Sequence, residues 1–202
     1  AISHEKKKEV WELINPKAKK SPKLVGNVIE GGKHSSSEKK PDFQEFLLIS
    51  KNWDILKKAK QEAEIILKKL DEKFEAKKTD ENAWMTSLNE KVVLDILYKL
   101  KERFNIEIGI DIAASSFYKR KKYHYMNPKL DRGEDEQFDY ISNLIKNYDI
   151  YYIEDSFNEE DFSNFSELLK KFPNKLIIGD DLTATNLKRF EKAIEKKSIK
   201  AI

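Results

Sequence analysis

The sequence predicts an α/β chain: part of a (β/α) barrel in which two antiparallel-type leading strands and two helices precede strand-helix repeats that end at a sixth strand. Three observations carry this reading. Short β-branched or aromatic runs, IEIGID, YYIED and LIIGDD, are each followed by a helical pattern. The acids that close them, Asp111, Glu154 and Asp180, lie 43 and then 26 residues apart, which suits successive strand-helix units. Finally, 202 residues that are 39% hydrophobic, with 11 Phe, 8 Tyr and 3 Trp, supply enough apolar surface for a real core.

Taken in order, residues 1 to 22 read as a helix stub and linker: Val10, Trp11, Leu13 and Ile14 make a short amphipathic piece before a Lys- and Pro-containing stretch. Residues 23 to 202 form the incomplete barrel domain. Leu24 to Ile29 is a strand candidate, followed by a Gly31-Gly32 turn, the polar loop HSSSEKKP and a second strand from Phe43 to Ile49. Ile55, Leu56, Ala59, Ala63, Ile66, Leu67, Leu70 and Phe74 recur at helical spacing, and Val93, Ile96, Leu97, Leu100 and Phe104 repeat it. Alternation then becomes regular: strand 106 to 112, helix 135 to 148, strand 150 to 154, helix 162 to 171, strand 175 to 179, helix 186 to 197, and a further strand starting at Ile199.

Composition excludes several chemistries. With no cysteine, thiolate catalysis, disulfides and Cys-ligated zinc are ruled out. The net charge of +3 arises from interleaved acids and bases, so no nucleic-acid or membrane partner is expected. The Lys-rich stretch KKAKQEAEIILKKLDEKFEAKK reads as the solvated face of a helix with acid-base pairs four apart. No apolar segment is long enough for a membrane span, and a soluble cytoplasmic protein is the expectation. In a barrel, parallel strand ends converge on one face, so Asp111, Glu154 and Asp180 can share a hard cation there.

Read in order, GNVIEGGKHSS, PDFQEFLLI, IGIDIAASSFY, YYIEDSFNEEDF and LIIGDDLTATNLKRFEKAIEKK resemble enolase, the phosphopyruvate hydratase of glycolysis, from about residue 23 to 202. The resemblance implies a barrel domain that binds magnesium and 2-phosphoglycerate and eliminates water to give phosphoenolpyruvate. It implies Asp111, Glu154 and Asp180 as the metal ligands and Glu81 as general acid, with Glu45 paired beside it. His34 corresponds to a loop histidine that closes over substrate, and Gln44 to a neighbouring amide of the substrate site.

Departures from the pattern are specific. Asn82, Ala83 and Trp84 replace two glycines and a phenylalanine after the acid pair, so the loop is expected to aim Glu81 differently. Ser116 and Ser156 stand where a glutamate and a proline are usual. Glu30 occupies a position usually small or amide, adding negative charge at the mouth of the site. The family's proton-abstracting lysine and phosphate-binding segment correspond to positions beyond Ile202, so these residues alone are expected to be inactive. The open barrel is expected to be completed by self-association, by a second chain or by further residues. The competing reading is a catalytically inactive enolase-like binding or structural module.

Overall fold

The computed structural model describes residues 2–202. Two short helices lead, α1 (Ile2–Glu5) and α2 (Val10–Ile14), neither with a buried residue. Val10, Trp11 and Ile14 stand exposed rather than packed. β1 (Leu24–Glu30) and β2 (Glu45–Ser50) pair antiparallel. α3 (Trp53–Leu70) follows, started by Asn52, whose side chain accepts from the amides of Asp54 and Ile55. Leu56, Ala59, Ala63 and Leu67 form its buried stripe, which leaves Lys57, Lys58, Lys68 and Lys69 in water, while Lys60 is partly buried.

β3 (Trp84–Met85) was not expected. It pairs parallel with the end of β1. α4 (Glu90–Phe104) is capped in the same way by Asn89 and ends at Asn105 in the left-handed region, a conformation that asparagine tolerates. β4 (Glu107–Asp111) then pairs antiparallel with β2.

After β4 comes a second unexpected element, a three-stranded antiparallel sheet of β5 (Tyr118–Lys119), β6 (Lys122–Met126) and β7 (Lys129–Arg132). Tyr123 and Tyr125 of β6 are fully buried against Phe43, Phe117, Tyr118 and Tyr140. The alternating KYHYM pattern carried this signal. From there α5 (Glu134–Tyr148), β8 (Tyr152–Glu154), α6 (Phe162–Lys171), β9 (Leu176–Ile178) and α7 (Leu187–Glu195) follow the expected alternation. The strand expected at Ile199 is a single parallel bridge between Ala201 and Ile178.

The main sheet runs β3-β1-β2-β4-β8-β9, open rather than closed, with β4, β8 and β9 parallel. Side chains alternate faces along a strand. Ile29, Phe46, Ile110, Ile153 and Ile177 align in one direction and are fully buried, within the apolar core that also takes in the helices. The neighbouring row, Asn27, Leu47, Gly109, Tyr152 and Leu176, faces the other way, into what a closed barrel encloses. Gly109 is needed there, because a Cβ would sit 2.8 Å from Cβ of Tyr152.

β1 carries one irregularity. Register shifts between Asn27 and Ile29, so that Val28 is an extra residue opposite β2, a β-bulge. Among the described residues, no helix is long and apolar enough to cross a membrane.

Candidate active site

Strand register gathers the acids. Glu30 lies opposite Glu45, Glu45 opposite Asp111, and Asp111 opposite Glu154, across four adjacent strands. Neighbouring strands are about 4.8 Å apart. Four carboxylates therefore form one row along the rim of the sheet. Asp180, exposed, sits two residues beyond the end of β9 on the same rim.

Asp111 is held from two sides: Oδ1 accepts from the amide of Ala113 at 2.9 Å, and Oδ2 accepts from Nε2 of Gln44 at 3.0 Å. Burial, then the charges of Glu154, Asp155 and Glu45, push its carboxyl up to about 9. Oε2 of Glu154 accepts from the Tyr152 hydroxyl at 2.6 Å. Burial raises its pKa as well, with Asp180 and Asp181 adding to the effect. Just past both strands the backbone enters the left-handed region at Ala113 (φ 46°) and Asp155 (φ 42°), a costly conformation for non-glycine residues that concentrates at functional sites.

Asp155 is a contributor the sequence reasoning passed over. It is buried, Oδ2 accepts from the amide of Asp181 at 2.8 Å, and it thereby ties the β8 exit to the loop carrying Asp180. Its other oxygen is buried without a partner, and burial lifts the carboxyl to about 7. The signal was present in the acid doublets of IED and GDD, where only one acid of each was assigned.

Magnesium, which the resemblance implies, can be tested against this donor set. Among the described residues, Asp111, Glu154, Asp155 and Asp180 form no salt bridge, so their charge is uncompensated by any side-chain cation. Three carboxylates on neighbouring strand ends suit a hard divalent ion. The oxygens of Asp111, Glu154 and Asp180 do not, however, all approach within 4.8 Å of one another. Among the described residues, the group that does so is Glu30, His34, Glu45 and Glu81.

That second group is assembled by three segments. Gly31 and Gly32 turn the chain after β1, with Gly31 packed so tightly that a Cβ would lie 2.3 Å from the Pro41 carbonyl oxygen. The turn returns the loop to Gln44 through the Gly31 amide bond to its carbonyl and sets His34 over the rim. Nδ1 of His34 is 3.4 Å from Oε1 of Glu30, 3.7 Å from Oε1 of Glu45 and 4.0 Å from Oε1 of Glu81.

Glu81 comes from the substituted loop. Asn82 takes a left-handed φ of 63°, which asparagine accepts more readily than most residues, while Ala83 is buried and Trp84 packs edge-on against Phe74. Lys60 donates to the carbonyls of Asn27 and Asn82, tying this loop to the β1 bulge. The amide of Asn27 donates to both Glu30 and Glu81. The carboxylate of Glu81 reaches the cluster.

Glu45 feels the crowding most strongly. Burial first, then the charges of Glu81, Glu30 and Glu154, raise its carboxyl to about 7, against the opposing influence of His34. Burial likewise raises Glu30. A carboxyl that keeps its proton near neutrality is suited to acid-base chemistry.

Beside the row opens a cleft of about 280 Å³ lined by Lys33, Gln44, Ala113, Ser115, Ser116, Glu159 and Asp181. A larger cavity of about 600 Å³ lies on the other flank, between β1 and α3, with Asn27, Lys60 and Glu81 in its wall. The smaller one adjoins the acid row.

Comparison with known proteins agrees with this architecture. Residues 19–202 match the family described as "Enolase, C-terminal TIM barrel domain". The chain is similar to the enolase of Pyrobaculum aerophilum, 42% identical over 188 residues that cover 87% of this chain and 45% of that protein. It is 35% identical to the enolase of Picrophilus torridus over 90% of this chain and 48% of that one. Against the enolase of Sulfurisphaera tokodaii it is 34% identical, over 95% and 48% respectively. The chain thus spans about half the length of the curated relatives it matches. With its fold and 87% of its length aligned at that identity, this chain belongs to the enolase family.

Proposed function

We propose that this chain carries the acid and metal-binding side of a magnesium-dependent site for dehydration of 2-phosphoglycerate to phosphoenolpyruvate. The observation that carries the reading is the in-register row Glu45, Asp111 and Glu154, continued by Asp180. Asp111, Glu154 and Asp180, drawn closer together than they stand here, would hold magnesium, which when bound stabilises the second negative charge that develops as a proton leaves the carbon beside a carboxylate.

The remaining chemistry belongs to side chains of this chain. Glu81 delivers to the departing hydroxyl a proton passed on from Glu45, which lies within 4.8 Å of it and binds a proton up to about pH 7. His34 covers the pair from the Gly31-Gly32 loop. Gln44 orients Asp111 through its amide and borders the cleft in which substrate would lie. Through the family likeness, the base step and phosphate grip correspond to positions after residue 202. A second chain, a second copy or further residues would also cover the start of β1, which β3 leaves unpaired and where Leu24 and Val25 are exposed.

The test is a hydratase assay with magnesium on the chain alone and together with a polypeptide carrying the later strands of the relatives. Turnover is expected only in the mixture. Glu81→Gln should lower it by about 10²- to 10⁴-fold, the usual contribution of a positioned acid. Absence of turnover in the mixture, with both pieces folded, would leave the non-catalytic module as the better account.

A further inference from the structure

We propose that Glu30, His34, Glu45 and Glu81 form a second divalent-cation site, distinct from the strand-end set, that prefers zinc-like ions over magnesium. One imidazole nitrogen and three carboxylate oxygens all lie within 4.8 Å of one another. A tetrahedral shell with bonds of about 2.0–2.2 Å places ligand atoms about 3.3–3.6 Å apart. His34 Nδ1 stands 3.4, 3.7 and 4.0 Å from Glu30, Glu45 and Glu81, and with all four ligand atoms within 4.8 Å of one another, side-chain movements of up to about 1 Å would close the shell around a cation.

Glu30 supplies the independent observation. Its side chain is 0% exposed, its carboxylate faces His34, and Oε2 has no hydrogen-bond partner. The Asn27 amide donates only to the other oxygen, and Lys60, the nearby cation, is engaged with backbone carbonyls. A cation seated among these groups would compensate the buried carboxylate and the two further carboxylates beside it. The imidazole selects against magnesium, which takes oxygen ligands in octahedral geometry, and toward zinc and its neighbours.

The site is tested without substrate, so its failure and that of the dehydration reading are separable. Zinc or cobalt is titrated calorimetrically into the full chain with saturating magnesium present, followed by X-ray absorption of the zinc-loaded protein. One equivalent should bind, with one nitrogen and about three oxygens at about 2.0–2.2 Å. Glu30→Gln and His34→Gln should each weaken binding at least as much as the about 10- to 100-fold seen when only an outer-shell partner is lost. Asp180→Asn should leave it unchanged. His34 sits on a loop, so its variant remains informative should the buried Glu30→Gln fold poorly. Absence of zinc binding, or equal affinity in wild type and His34→Gln, would overturn the proposal.

Discussion

Glu45 offers the sharpest energetic test, because its carboxyl is raised from 4.5 to about 7 mainly by burial, with Glu81, Glu30 and Glu154 adding to it. Its side chain is only 19% exposed, so solvent screens little of this. At about 1.4 kcal/mol per pH unit, the difference amounts to about 3 kcal/mol. The sign follows from proton binding: the folded chain holds this proton more tightly than the unfolded chain. Below pH 4.5 both states are protonated and nothing is lost; as pH rises toward 7 the folded state is progressively destabilised; above about 7 the full cost is present.

Glu45→Gln removes that cost while keeping the side chain's shape. It should therefore stabilise the chain at pH 8.5 by up to about 3 kcal/mol, or about 6–12 °C in Tm for a domain of this size, and by less than about 1 kcal/mol at pH 5. Thermal unfolding followed by circular dichroism, in metal-free buffer at both pH values, measures this. Equal shifts at pH 5 and 8.5, or a loss of stability at pH 8.5, would refute the account of a strained acid cluster.

Magnesium should raise Tm in wild type, by the equivalent of about 2.7 kcal/mol at one hundred times its Kd, and Asp180→Asn should abolish the shift, as differential scanning fluorimetry would read. Gly31→Ala should disorder the loop, since its Cβ meets the carbonyl oxygens of Pro41 and Phe43 at 2.3 and 2.5 Å. Histidine NMR would then show His34 released from its three carboxylate neighbours, whereas an unchanged resonance would contradict the packing described.

How much of this was legible in the sequence depends on the range of the interactions involved. α3, α4 and α6 declared themselves because each buries a stripe at helical spacing, a local signal; residues 162 to 171 match the expected helix throughout. The strand-end acids were likewise readable, each closing an apolar run. β5 to β7 were missed because lysine-rich turns surround short strands and one of their packing partners, Phe43, lies far away in the chain. Glu30 was noticed only as extra charge. Its place at the centre of a cluster depends on cross-strand register and on a loop returning from residue 81, neither of which local pattern encodes.

The Val28 bulge has a consequence for how this rim tolerates mutation. Residues three apart on a regular strand point to opposite sides, yet Asn27 and Glu30 are hydrogen-bonded side chain to side chain. The inserted residue supplies the half-turn that brings them together. Deleting Val28 would leave every amino acid of the cluster intact and still rotate one member out of it, so the local count of backbone units, rather than the choice of side chain, decides how many negative groups the pocket must accommodate.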